Sequence, residues 1–153
     1  PVQRTILDAL AHSTAATIDH VGVDGCGAPT PTVSLLALAD AVRRLAVEGH
    51  AVHRAMTAHP ELVGGPQRDV TLLMQAVPGL LVKDGAEGVQ VAAVPDGRAV
   101  ALKIADGAAR ARAPVTVAAL RSIGVDLAHD VVVELVYGHG RPVGAVRSLV
   151  GEP

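Results

Sequence analysis

The sequence is poor in the residues that mark several classes of protein. Its 153 residues include no Phe and no Trp, and Tyr137 is the only tyrosine. The formal net charge is −2, with acids and bases interspersed along the chain. A nucleic-acid-binding surface needs clustered basic residues, usually with aromatic rings that stack on bases. We therefore expect no nucleic-acid partner.

Cysteine and long apolar runs are also scarce. Cys26 is the only cysteine, so an internal disulfide is excluded, as is usual for proteins of the reducing cytoplasm. No uninterrupted apolar run approaches the roughly 20 residues that cross a membrane. No basic segment followed by an apolar segment opens the sequence as a secretory signal does. The sequence thus predicts a cytoplasmic protein without a membrane partner.

Apolar residues are nevertheless abundant, at 50% of the chain, and they must be mainly Val, Ala and Leu. This supply suits one domain over residues 1–153, or part of a larger domain. The patterns predict an α+β fold in which helices pack on an antiparallel sheet. The predicted helices cover 2–13, 34–46, 51–59, 67–76 and 108–123. The predicted strands cover 18–23, 89–94, 99–104 and 143–150, whereas 131–136 suits a strand or a helix.

The strongest local pattern is a hairpin preceded by a glycine-rich turn. Pro95-Asp96-Gly97 separates two apolar runs, as in a β-hairpin. Before it, Lys83 and Glu87 lie in a segment that contains Gly85 and Gly88, which predicts a tight turn. A lysine at the lip of a sheet, beside glycines that admit a ligand, can hold an anion. The alternative is a solvated lysine on a surface hairpin.

A second candidate site follows the first predicted strand. Asp24 and Cys26 lie two residues apart in a loop rich in glycine and proline. They can offer a carboxylate and a thiolate to one pocket, and a thiolate is a metal ligand or a nucleophile. The alternative is a buried cysteine that only packs. His50 and His53 lie one helical turn apart and form a weaker candidate for a shared metal.

The remaining charged residues do not complete a catalytic set. Arg68 with Asp69, or Asp106, suits ion pairs that shape a pocket. No serine is followed three residues later by lysine, so a Ser-x-x-Lys nucleophile and base pair does not occur in these 153 residues.

Four motifs, taken together and in this order, resemble those of the asparaginase II family, the rhizobial-type L-asparaginases. They are Val23-Asp24-Gly25-Cys26-Gly27-Ala28-Pro29, His59-Pro60 with Gly64-Gly65 and Leu73-Met74, Lys83-Asp84-Gly85-Ala86-Glu87-Gly88, and Lys103-Ile104-Ala105-Asp106-Gly107 with Arg110-Ala111. The resemblance implies a serine β-lactamase/glutaminase-like fold and hydrolysis of L-asparagine to aspartate and ammonia.

The resemblance also implies roles for individual residues. Asp24 and Lys83 would take part in catalysis, and Asp24, Gly25 and Glu87 would bind substrate. Cys26 would be one ligand of a zinc ion. These assignments make the Lys83 segment and the Asp24 loop two walls of one pocket.

The chain resembles only the C-terminal half of such enzymes, which are about twice as long. We therefore expect the nucleophile segment to belong to an N-terminal half, in the same or a separate chain, and the enzyme to form a homodimer. Two alternatives stay open. The chain could belong to a glutaminase or a β-lactamase-like acyl hydrolase, or it could be a non-catalytic binding or subunit domain that lacks the nucleophile.

Overall fold

The structure, a computed structural model, describes residues 2–149. It confirms the predicted α+β fold. The helices are α1 Val2–Thr14, α2 Leu35–Val47, α3 Ala51–Ala58, α4 Pro60–Gly64, α5 Asp69–Ala76 and α6 Arg112–Ser122, with a 3-10 turn at Ala109–Ala111. The strands are β1 Val21–Val23, β2 Pro29–Pro31, β3 Leu81–Asp84, β4 Val89–Ala93, β5 Ala99–Lys103, β6 Glu134–Gly138 and β7 Arg141–Val146.

The central element is a three-stranded antiparallel sheet in the order β3-β4-β5. The predicted hairpin forms its β4–β5 half, with Val91 paired to Ala101. Gly97 in the turn has φ +95°, a conformation that glycine adopts without strain. The other strands form two separate hairpins, β1–β2 and β6–β7.

The hydrophobic core lies between one face of this sheet and helices α5 and α6. It consists largely of small and medium aliphatic side chains: Val70, Leu73, Met74, Leu80, Val82, Ala92, Val94, Val117, Leu120, Val125 and Leu127. Successive strand residues face opposite sides, so Val91 and Ala93 lie on the other face, and α2 packs against β4 and β5. The sheet is therefore covered on both faces along its central strand.

Helix starts follow the expected chemistry in two places. Ser34 caps α2, and its side-chain oxygen accepts a hydrogen bond from the Ala37 amide at 3.1 Å. Pro60 begins α4, in a segment for which the sequence predicted neither a helix nor a strand. Proline is well suited to the first turn of a helix because its missing N–H would be unpaired there.

Three further predictions need correction. Lys83 lies in strand β3 and not in the turn, because residues 81–84 pair with residues 90–93 of β4. The segment before the last hairpin becomes a strand only from Glu134, and β7 ends at Val146. The predicted final strand ran to Val150, which lies outside the described residues. Among residues 2–149, no helix has the length and apolar character needed to cross a membrane.

Candidate functional site

The exposed end of β3 presents Lys83. Leu81 and Val82 are buried, whereas the Lys83 side chain is 50% exposed. Its Nζ donates to the backbone oxygen of Asp84 and to Asp84 Oδ1, both at 2.8 Å. The ammonium thus has two acceptors on the next residue at the sheet edge, while half of the Lys83 side chain stays exposed to solvent.

Asp84 joins Lys83 to two arginines. Its Oδ2 lies 2.6 Å from Arg68 Nη2 and 3.5 Å from Arg112 Nη1. Burial raises the pKa of the Asp84 carboxyl, but the hydrogen bond from Lys83 and the charges of Lys83, Arg112 and Arg68 outweigh it, so the pKa lies below its ordinary value. Asp84 is therefore an ionised carboxylate that forms ion pairs with three cationic side chains.

Arg112 connects this group to helix α5. Its Nε and Nη2 lie 3.1 and 3.2 Å from the two carboxylate oxygens of Asp69. The predicted Arg68–Asp69 pair is present as well, at 3.8 Å. We define Arg68, Asp69, Lys83, Asp84 and Arg112 as the charge cluster. Asp106 pairs with Arg110 instead, in an exposed contact of 2.5 Å.

Sequence reasoning missed Asp84 and Arg112 as members of this cluster. Arg112 is 43 residues from Asp69 in sequence and meets it only because α6 and α5 pack against the same face of the sheet. One local feature could have indicated Asp84: a carboxylate next to Lys83 at the end of a strand. No local feature marks Arg112.

The turn from Gly85 to Gly88 presents Glu87 in an unusual conformation. Glu87 has φ +57°, and Gly88 follows with φ +71°. Lys103 Nζ donates to the Glu87 backbone oxygen and, at 2.9 Å, to that of Ile104. Positive φ is uncommon outside glycine and recurs at functional sites. Lys103 thus fixes the turn, and the Glu87 side chain does not pair with Lys83 in the described part of the chain.

Gly107 lies against Glu87 from the other side. A Cβ atom at position 107 would lie 2.5 Å from Glu87 Oε2, so a larger residue there would make the flexible Glu87 carboxylate move aside. The last two of the four sequence motifs therefore touch in space, through Glu87 and Gly107.

The Asp24 loop is a tight turn between β1 and β2. Asp24 Oδ1 accepts from the Gly25 amide at 2.7 Å, and the Asp24 backbone bonds to Ala28 and Gly27 at 2.9 and 2.8 Å. Cys26 is exposed, so the alternative of a buried, packing cysteine is wrong. Its Sγ lies 3.8 Å from Asp24 Oδ2. The thiol and the carboxylate thus face the same space.

The structure does not bring this loop into contact with Lys83. Within residues 2–149, Asp24 and Cys26 form no hydrogen bond or ion pair with the charge cluster or with Glu87. The two predicted walls of the pocket remain separate surfaces in this part of the chain.

The described residues do not by themselves fit a zinc site. No group of three or more His, Cys, Asp or Glu side chains in residues 2–149 is placed to hold a metal. Structural zinc takes four ligands, and the Asp24 loop offers one thiolate and one carboxylate. The predicted zinc, with Cys26 as a ligand, stays a prediction that needs donors from elsewhere.

The two histidines at the start of α3, His50 and His53, make other contacts. His53 is buried, and its Nε2 lies 2.8 Å from the Gly79 oxygen. His50 precedes α3, and its Nδ1 accepts from the Val52 amide at 3.2 Å. Both rings are thereby used in the packing and capping of α3.

A cavity of about 470 Å³ adjoins the charge cluster on the side of α5 and α6. Its charged lining comes from Arg68, Asp69, Arg112 and Glu134, and its apolar lining includes Leu72 and Val132. Three members of the charge cluster therefore line this partly apolar cavity, whereas Lys83 and Asp84 do not.

Comparison with protein families agrees with the motifs. The profile of the family described as L-asparaginase II matches residues 1–148, so this chain belongs to the L-asparaginase II family. The match confirms the resemblance and supports an asparaginase-type hydrolase acting on a small molecule, at the level of the family. A comparison with individually curated proteins gives no match.

Proposed function

We propose that this chain is the C-terminal portion of an amidohydrolase that converts L-asparagine to L-aspartate and ammonia, built on a serine β-lactamase/glutaminase-like fold. The single observation that carries the proposal is the fixed ammonium of Lys83 beside the Glu87 turn, in a chain of the L-asparaginase II family. A cation held at a sheet edge suits a substrate that carries a carboxylate and develops an oxyanion.

The reaction is an acyl transfer in two steps. A serine hydroxyl attacks the side-chain amide carbon, the C–N bond breaks, and ammonia leaves with the hydroxyl proton. Water then cleaves the ester and releases aspartate. In this scheme Lys83 holds the substrate carboxylate or the oxyanion, and Asp24, with Gly25 beside it, binds the substrate ammonium.

Glu87 borders the same pocket. Its backbone has a positive φ and accepts a hydrogen bond from Lys103. Because such backbone conformations recur at functional sites, we assign the Glu87 side chain to substrate binding. Within residues 2–149 the Asp24 loop does not bond to Lys83, so in this proposal the N-terminal half completes the pocket between them.

The serine and its base come from an N-terminal half outside these 153 residues, in the same or a separate chain. Exposed apolar side chains support such a partner surface, since Val2 and Ile6 of α1 and several side chains of the β6–β7 hairpin face solvent. The largest exposed fractions in these elements are Val2 69%, Ile6 51%, Tyr137 62% and Val143 68%. The same surfaces could contribute to the predicted homodimer.

A second candidate is a non-catalytic binding or subunit domain. It is favoured by one observation, the lack of a Ser-x-x-Lys pair within the 153 residues. Such a domain would use Lys83 and Asp24 to bind an amino acid amide without hydrolysing it.

The test is ammonia release from L-asparagine, with L-glutamine and a β-lactam as competing substrates. The full-length protein, or this chain mixed with the segment encoded before it, should be active, whereas this chain alone should not be. Lys83→Met should lower kcat/KM by about 100-fold, as the loss of one oxyanion donor does. Asp24→Ala and Cys26→Ala, assayed in the same way, test whether the Asp24 loop contributes to ammonia release.

Arg98→Met is the matched control, since Arg98 lies at the opposite end of the β4 strand and pairs with Asp96. Its activity should stay close to that of the wild type. Saturable asparagine binding without ammonia release by the assembled protein would favour the binding domain, and a preference for glutamine or a β-lactam would change the substrate assignment.

A further inference from the structure

Arg112 is a nearly buried cation whose three nitrogen atoms all face carboxylates. Its side chain is 8% exposed, and Asp69 and Asp84 are 11% and 16% exposed. Arg112 grips both oxygens of Asp69 but reaches only Oδ2 of Asp84. A guanidinium is planar and rigid, so the bidentate contact with Asp69 fixes the plane of the Arg112 side chain. It thereby fixes the orientation of Arg112 Nη1 toward Asp84.

The two oxygens of Asp84 are thereby divided between different partners. Oδ2 faces Arg68 and Arg112, and Oδ1 accepts from Lys83 Nζ. If the carboxylate rotated about its bond, Oδ1 would leave the ammonium. Lys83 Nζ also donates to the backbone oxygen of Asp84, so one of its two hydrogen bonds depends on what holds Oδ2.

A competing partner lies next to Asp84. Gln90 pairs directly with Asp84 across β3 and β4, so both side chains lie on the same face of the sheet. Gln90 is fully buried, and neither atom of its amide has a hydrogen-bond partner in the described part of the chain. A buried amide donor gains from any acceptor that turns toward it.

We propose that Arg112 is a positioning residue, which holds Asp84 away from Gln90 so that Oδ1 fixes the Lys83 ammonium at the sheet edge. This rests on the proposed role of Lys83 in the site. Arg112 itself touches no substrate, and it acts through one intermediate carboxylate.

The test follows the reactivity of Lys83 rather than catalysis. Lys83 and Lys103 are the only lysines, so each labelled protein carries its own reference. The full chain is reductively methylated with formaldehyde and a borane for short times, and peptide mass spectrometry gives the ratio of Lys83 to Lys103 labelling. Arg112→Lys keeps the positive charge but cannot bond to both oxygens of Asp69. It should raise this ratio about fivefold, which corresponds to the loss of one hydrogen bond, that between Lys83 and Asp84 Oδ1.

Two further variants sharpen the result. Asp69→Asn weakens the contact that orients Arg112 and leaves Asp84 unchanged. It should also raise the ratio of Lys83 to Lys103 labelling. Adding Gln90→Leu to Arg112→Lys removes the competing amide and should bring the ratio back toward the wild-type value. A purely structural role of Arg112 predicts no such reversal.

Circular dichroism and the urea midpoint establish which variants fold, and Asp69→Asn carries the test if Arg112→Lys does not. An unchanged ratio in a folded variant overturns the proposal, whatever the activity. A raised ratio in a protein that, when fully assembled, releases no ammonia overturns the proposed function and leaves the positioning role intact.

Discussion

Arg112 Nε lies 3.1 Å from Asp69 Oδ2, and this nearly buried pair joins α6 to α5 across 43 residues of sequence. Removing one member of a buried pair leaves a charge without its partner in a poorly solvated place. The pair is therefore expected to matter more to stability than any exposed ion pair of the chain.

We predict that Arg112→Met lowers the free energy of unfolding by about 3 kcal/mol, because the nearly buried Asp69 then keeps only its longer contact, of 3.8 Å, with the exposed Arg68. Arg112→Met combined with Asp69→Leu should recover most of this loss. Urea denaturation followed by circular dichroism measures both. Arg110→Met is the matched control, since its pair with Asp106 is exposed, and its midpoint should hardly move. Equal losses for Arg110→Met and Arg112→Met would contradict the prediction.

The lowered pKa of Asp84 predicts a loss of stability in acid. Its folded-state pKa lies below the ordinary value of 3.8, so folding favours the ionised form. The contribution of Asp84 is therefore complete above the unfolded-state pKa of about 3.9 and disappears as the pH falls through the lower, folded-state value.

Asp84→Asn should accordingly be less stable than the wild type at pH 7, and the difference should shrink below about pH 4. Urea midpoints of both proteins between pH 2.5 and pH 7 check this. Both proteins contain Asp40, Asp96 and Asp106, whose pKa values are lowered as well. The contribution of these three residues to the pH dependence of stability therefore cancels in the comparison. A difference that stays constant down to pH 2.5 would argue against the ion pairs of Asp84.

Gln90 offers a prediction of the opposite sign. Its fully buried amide has no partner in residues 2–149, and an unpaired buried amide costs about 1–3 kcal/mol. Gln90→Leu has a similar volume and should stabilise the protein by about 1 kcal/mol or more. Gln75→Leu on the exposed face of α5 is the control and should be close to neutral. Destabilisation by Gln90→Leu would show that the amide is satisfied in solution.

The sequence predicted those parts of the fold whose causes are local. The β4–β5 hairpin follows from Pro95-Asp96-Gly97, and the start of α2 follows from Ser34, which caps it. Both depend on a few neighbouring residues. The same local reasoning failed at Pro60, since a proline can end one helix and begin the next.

The candidate site was predictable only in part, for a physical reason. The exposed residues Lys83, Glu87 and Asp24 lie in turns or at strand ends that sequence motifs reveal. The charge cluster depends on Arg112, which meets Asp84 only once α6 has packed on the sheet. Lys83 was assigned to a turn because local sequence does not show that β3 pairs with β4. That pairing, in which Lys83 lies opposite Val91, forms only in the folded sheet.

Gly88 gives the sharpest test of the turn that carries Glu87. Its φ is +71°, and a Cβ atom there would lie 2.8 Å from Ile104 Cβ. Gly140, in the turn between β6 and β7, has a similar φ of +74° but nothing within 4 Å. Alanine at either position adopts an unfavourable left-handed backbone, which costs about 1 kcal/mol.

Gly88→Ala must in addition displace Ile104, so it should lower the free energy of unfolding by about 2–4 kcal/mol, against about 1 kcal/mol for Gly140→Ala. Because Glu87 precedes Gly88, the assembled Gly88→Ala enzyme should also lose ammonia release, whereas Gly140→Ala should keep it. Urea denaturation and the ammonia assay measure the two effects on the same preparations. Similar losses for both variants would mean that backbone strain alone decides the cost and that Ile104 yields to the added methyl group.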